Sequence, residues 1–200
     1  SPAKVTGLKI SNITESSYRI SWNSVDKATG YRVYRYDQTK GEYVAMGNTT
    51  NTYMDFTGLA PGFKCGYSVK AYRKGTSGNV YSVNSDRLSV TTKPAKVVGL
   101  SVESFTSSAC SLQWTASQGA VSYNIYQRSA DGKYTKIGTS DTNSCLIKKL
   151  TQFTEYTFAV SAVSKNGSCV AESAKSSVVT VKTCFSPVKN VKVSSQSFNS

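Results

Sequence analysis

Two hundred residues hold one or two domains of ordinary size. Lysine and arginine number 24 against 11 acidic residues, a formal charge of +13, and histidine is absent. The missing imidazole removes the commonest metal ligand, the commonest general base and the Ser-His and Cys-His nucleophile pairs, and no apolar run reaches the 18 residues of a membrane helix.

In chain order, Pro2-Ala3-Lys4-Val5 opens a first strand. Ser1-Pro2-Ala3-Lys4 matches a Ser-x-x-Lys pair, but it leads into that strand beside a proline, not onto a helix, and reads as chance. Tyr18, Ile20 and Trp22 share one face by period two; so do Tyr31 and Val33, then Tyr67, Val69 and Ala71. Turn-forming clusters separate them, at residues 26–30, 47–51, 58–62 and 74–79. Sustained 3.6-residue periodicity is absent, so few helices are expected. Short alternating strands at this spacing predict an all-β sandwich.

The pattern then repeats. Pro94-Ala95-Lys96-Val97 follows Pro2-Ala3-Lys4-Val5, Trp114 follows Trp22, and Tyr123-Asn124-Ile125-Tyr126 follows Tyr31-Arg32-Val33-Tyr34 at one constant spacing. Leu150 and Val160-Ser161-Ala162 match Leu59 and Val69-Lys70-Ala71 after a loop one residue shorter. Pro187-Val188-Lys189, with Ser197-Phe198, echoes the opening a third time. The expected organisation is residues 1–93, residues 94–184 and the start of a third repeat at 185–200, with the chain read as a portion of a longer protein. Thr91-Thr92-Lys93-Pro94 is a short linker, and Pro94 biases Lys93 toward extended geometry, so an elongated pair with little freedom at the joint is expected.

These residues resemble fibronectin type III modules, of the kind found in tandem in secreted and surface proteins of bacteria. The match rests on Trp22 and Trp114 in strand B, on Tyr-x-Val/Ile-Tyr in strand C, and on Leu59-Ala60-Pro61-Gly62 running to Ala71, with Leu150 to Ala162 as its second copy. The resemblance implies two tandem immunoglobulin-like sandwiches of seven strands each, placed end to end. It also implies a tyrosine-corner hydrogen bond from Tyr156, six residues after Leu150. Cys65 stands at that position in the first repeat. The first domain is therefore expected to lack the bond, and Cys65→Tyr to raise its melting temperature. An immunoglobulin B–F disulfide is excluded, since Cys110 faces Tyr156 and Phe158 while Cys65 faces Tyr18. Cys110 and Cys145 are expected inward on neighbouring strands with an offset register, as buried free thiols or, alternatively, as a bridge; Cys169 and Cys184 are expected nearer the surface.

Function is less legible. The few carboxylates, such as Asp26, Asp37, Glu42, Asp55, Asp131 and Asp141, fall mostly at turns, so no paired-carboxylate cleft is expected. The sequons at Asn12, Asn48 and Asn166 arise readily in a Ser/Thr-rich chain. No catalytic residue, cofactor or metal site is predicted, and the chain reads as non-catalytic. The expected role is a monomeric extracellular spacer, secreted or attached to the cell surface, that holds another domain of the same polypeptide relative to cell wall or substrate. The alternative is a module binding acidic cell-wall polymer or polysaccharide through an outward face on which Tyr34 and Tyr72 stand together, ringed by Arg32 and Lys70. The basic charge is dispersed and no basic helix is predicted, so neither specific nucleic-acid binding nor membrane insertion is expected.

Overall fold

The computed structural model describes residues 1–184; the expected third repeat lies outside them. It is all-β among the described residues. The first unit contains β1 (Lys9–Ser11), β2 (Tyr18–Ser21), β3 (Gly30–Asp37), β4 (Glu42–Thr49), β5 (Tyr53–Phe56), β6 (Lys64–Gly75), β7 (Gly78–Tyr81) and β8 (Leu88–Thr91). The second repeats it as β9 (Ser101–Phe105), β10 (Ala109–Gln113), β11 (Ser122–Arg128), β12 (Tyr134–Ser140), β13 (Ser144–Lys148), β14 (Glu155–Asn166), β15 (Cys169–Glu172) and β16 (Val179–Lys182). One sheet of each sandwich is three-stranded, β1-β2-β5 or β9-β10-β13. The other runs β4-β3-β6-β7, with β8 also on β6, and its copy runs β12-β11-β14-β15, with β16 also on β14.

Alternation produces the core as expected. Tyr18, Ile20, Trp22, Tyr31, Val33, Tyr67, Val69 and Ala71 are all buried, and Cys110, Leu112, Trp114, Tyr123, Ile125, Phe158, Val160 and Ala162 form the matching cluster. Trp22 meets Tyr31 edge to face at 5.5 Å, and Trp114 meets Tyr123 at 5.2 Å. Each tyrosine also satisfies the loop that follows strand B: Val25 N donates to Tyr31 Oη and Ser117 N to Tyr123 Oη, both at 2.9 Å. Large rings with a polar tip thus fill the core and fix a loop at once.

The seventh strand is split in both copies, which is why eight segments stand where seven strands are expected. Between β7 and β8, Ser82 and Ser85 accept with their hydroxyls from Ala71 N and Val69 N. Ser173 and Ser176 do the same for Ala162 N and Val160 N. A serine oxygen replaces a carbonyl at each step, so the buried backbone donors stay paired while the outer strand bends away.

Candidate interaction face and interdomain joint

On the five-stranded sheet of the first domain, residues opposite in phase to the core point outward. Register brings Arg32 directly opposite Lys70, Tyr34 opposite Ser68, and Gly30 opposite Tyr72. Arg32, Tyr34 and Lys70 are half-buried. The Arg32 guanidinium and the Lys70 ammonium approach the Tyr34 ring at 5.8 and 5.7 Å, and Arg87 lies 4.8 Å from the Tyr36 ring, which in turn meets Tyr43. Alternating cations and rings of this kind attract through the ring quadrupole.

Tyr72 corrects the expected face. It shares the outward phase but is only 7% exposed. Its phenol lies over Gly30, where an added Cβ would come within 2.5 Å of the hydroxyl, and its ring packs on Tyr81 at 5.7 Å. Tyr81 takes the more accessible place. Asn79 and Arg32 donate to its hydroxyl at 3.4 and 3.5 Å, holding the phenol below its ordinary value. The sequence reading missed Tyr81 because it closes a hairpin whose turn cluster hid the strand. Tyr36 and Arg87 were missed as well, although Tyr36 continues the outward phase of Tyr34.

The same face of the second domain is chemically different. Asn124 stands for Arg32, Ser161 for Lys70 and Glu172 for Tyr81. Tyr126 donates to Glu172 at 2.5 Å, Ser161 donates to the same carboxylate, and Lys175 lies over the Tyr126 ring at 4.3 Å. Burial raises the Glu172 carboxyl, but hydrogen bonds from Ser161 and Tyr126 outweigh it and leave the group below its usual value. This carboxylate takes its hydrogen bonds from within the face.

The corner positions also differ. Thr151 N donates to Tyr156 Oη at 2.9 Å, the corner bond expected in the second domain. In the first, the Cys65 thiol reaches Gly66 O at 3.5 Å and lies beside the Tyr67 hydroxyl, and burial pushes its pKa up. A buried bond from Tyr18 Oη to Tyr67 Oη, 3.0 Å long, takes over that end of the core. All five cysteines are free: Cys110 pairs across the sheet with Ile147 and Cys145 with Leu112, out of register as expected.

The joint is built from backbone and short polar side chains. Asn166 Nδ2, at the tip of the β14–β15 hairpin, donates to Cys65 O at 2.9 Å and to Val90 O at 2.8 Å. Ser164 Oγ donates to Thr92 O at 2.7 Å, and Lys96 N donates to Glu15 Oε1 at 3.2 Å. The linker is held from the first domain, through Gly62 N to Lys93 O and Lys93 N to Thr14 O, and from the second, through Ala95 N to Gln118 O. Gly62 and Gly119 touch across the joint. Both have φ near +70 to +80°, and a Cβ on Gly62 would fall 2.3 Å from Gly119 Cα, so only glycine fits on either side. Thr91 and Thr92 are fully buried.

Among the described residues no cluster of three or more His, Cys, Asp or Glu could hold a metal, and no helix is long and apolar enough to cross a membrane. A family model described as "Fibronectin type III domain" matches residues 3–87 and 93–179. Fibronectin type III domain-containing protein 7 of Mus musculus is 32% identical over 163 residues, covering 80% of this chain and 21% of the relative. Exoglucanase B of Cellulomonas fimi is 33% identical over 116 residues, covering 58% of this chain and 10% of the relative. The chain thus spans 21% or less of these relatives. A two-domain segment of chicken tenascin superposes with a TM-score of 0.48 at 18% identity, covering 90% of this chain and 99% of that one.

Proposed function

This chain belongs to the fibronectin type III family, with two domains in tandem, and we propose that the pair works as a stiff spacer within a larger extracellular protein. Domains of this family are structural or interaction modules and typically non-catalytic; in our reading these two act mechanically, in a secreted or cell-surface setting, and carry no catalysis themselves. The observation that carries it is the joint. Asn166 bridges two carbonyls of the neighbouring domain, Ser164 binds the buried linker, and Gly62 and Gly119 meet backbone to backbone. A freely hinged linker would leave its polar backbone to water; here the amides and carbonyls of Thr92 and Lys93 are all hydrogen-bonded, to groups of both domains. A rigid pair transmits the position of one end to the other, which suits a module that holds a neighbouring domain at a set distance from wall or substrate.

Small-angle scattering tests this. A narrow distribution of dimensions matching two sandwiches end to end is the expected result. A compact side-by-side pair, or a broad distribution typical of a flexible tether, would overturn it.

A further inference from the structure

We infer that the outward face of the first domain binds an acidic polysaccharide, with Arg32 and Lys70 gripping its carboxylates and the Tyr34 and Tyr81 rings lying along the sugars. This goes beyond the spacer reading and does not depend on the joint.

One pairing on this face is not explained by fold stability. Arg32 and Lys70 are direct cross-strand partners in the middle of the sheet. Like charges placed opposite one another destabilise an antiparallel pair. Arg87 adds a third cation over Tyr36 on the same face. Among the described residues the ion pairs are Lys4 with Asp86, Arg19 with Asp55 and Lys27 with Asp26, so none of these three cations has a carboxylate partner within 4 Å. Their ring contacts at 5.7 to 5.8 Å for Tyr34 lie near the outer limit of useful cation–π attraction. The second domain shows the same scaffold without this cost: Asn124 and Ser161 replace the two cations, and Glu172 supplies an internal acceptor. The first domain keeps a positive centre that no carboxylate neutralises, with Arg32 donating to the Tyr81 hydroxyl at 3.5 Å, flanked by half-buried aromatic rings. An anion is what that centre lacks, and ring faces beside it suit stacking against a pyranose. Spaced carboxylates on a sugar chain supply both.

The experiment measures binding of the two-domain chain to polygalacturonate at physiological salt, with polyphosphate and a neutral glucan alongside. Arg32→Asn with Lys70→Ser transplants the residues of the second domain. Lys148→Ser with Lys149→Asn removes the same charge from an exposed edge of the second domain. The expected result is retention on polygalacturonate that falls at least about tenfold in Arg32→Asn/Lys70→Ser, stays within about twofold in the charge-matched control, and is accompanied by an unchanged or higher melting temperature in the first variant. Arg87→Ser supplies an independent reading if the double variant folds poorly, with a smaller loss expected. Equal losses in both double variants, equal retention on polyphosphate, no retention on polygalacturonate, or unaltered binding with a lowered melting temperature would each overturn the inference; the last would make the face a stabilising ladder only.

Discussion

Removing the Asn166 carboxamide should loosen the joint while leaving both sandwiches folded. Asn166→Ala deletes two neutral hydrogen bonds, at 2.9 and 2.8 Å, between the second domain and the carbonyls of Cys65 and Val90. Each such bond contributes about 0.5–1.5 kcal/mol net, so docking weakens by about 1–3 kcal/mol, a factor of roughly 5 to 150 in the docked-to-undocked ratio. The other contacts, from Ser164 to Thr92 and from Lys96 to Glu15, remain. Residual dipolar couplings report this directly. In the native chain one alignment tensor should fit both domains; in the variant the second domain should require its own, with smaller magnitude. Hydrogen exchange at Gly62, whose amide binds Lys93 O, should quicken in step. A single tensor of undiminished magnitude in the variant would show that Asn166 does not hold the joint.

Tyr156→Phe removes the corner acceptor of Thr151 N and should cost the second domain about 0.5–1 kcal/mol, seen as a fall of a few degrees in its calorimetric transition. Cys65→Tyr, which the sequence alone suggests as stabilising, should instead lower the melting temperature of the first domain: the thiol is only 5% exposed, the Tyr18–Tyr67 pair occupies the core beside it, and the neighbouring hairpin lies on its carbonyl, so overpacking costs about 1–3 kcal/mol. Hydrogen bonds from Ser161 and Tyr126 hold the Glu172 carboxyl below the usual glutamate range. A depressed folded-state value means its stabilising contribution is full above the ordinary glutamate value of about 4.3 and is lost as pH falls through the depressed value. Thermal melts of the second domain should therefore fall more steeply with acid below that pH than melts of Glu172→Gln, and parallel curves would refute the assignment.

Alternation and repetition made the sandwich legible, because period two needs no knowledge of neighbours. Trp22, Tyr31 and Tyr67 declare a buried face in sequence alone. The outward face was legible only in phase. Parity put Tyr72 beside Arg32 and Lys70, but whether a ring on that side meets water depends on what the next strand lays over it, and here Tyr81 and the missing side chain at Gly30 cover it. The bridging serines were visible as a repeat, Ser82 with Ser173 and Ser85 with Ser176, yet their role as surrogate carbonyls emerges only once the seventh strand is seen to bend. Asn166 carried no signal beyond a sequon, since its partners, Cys65 and Val90, are distant in sequence and become neighbours only when two finished domains meet.

The bend in the seventh strand also bears on how such chains avoid joining to one another. A long straight border strand is an open template, and adjacent copies of similar sequence are the units most prone to exchange strands or fuse border to border while folding. Splitting that border into two runs of four residues, Gly78–Tyr81 and Leu88–Thr91, with serine hydroxyls closing the gap from within, leaves a visiting strand no continuous rail. The second copy carries the same interruption between Cys169–Glu172 and Val179–Lys182. Repeats made this way can be strung together in number while each folds to itself.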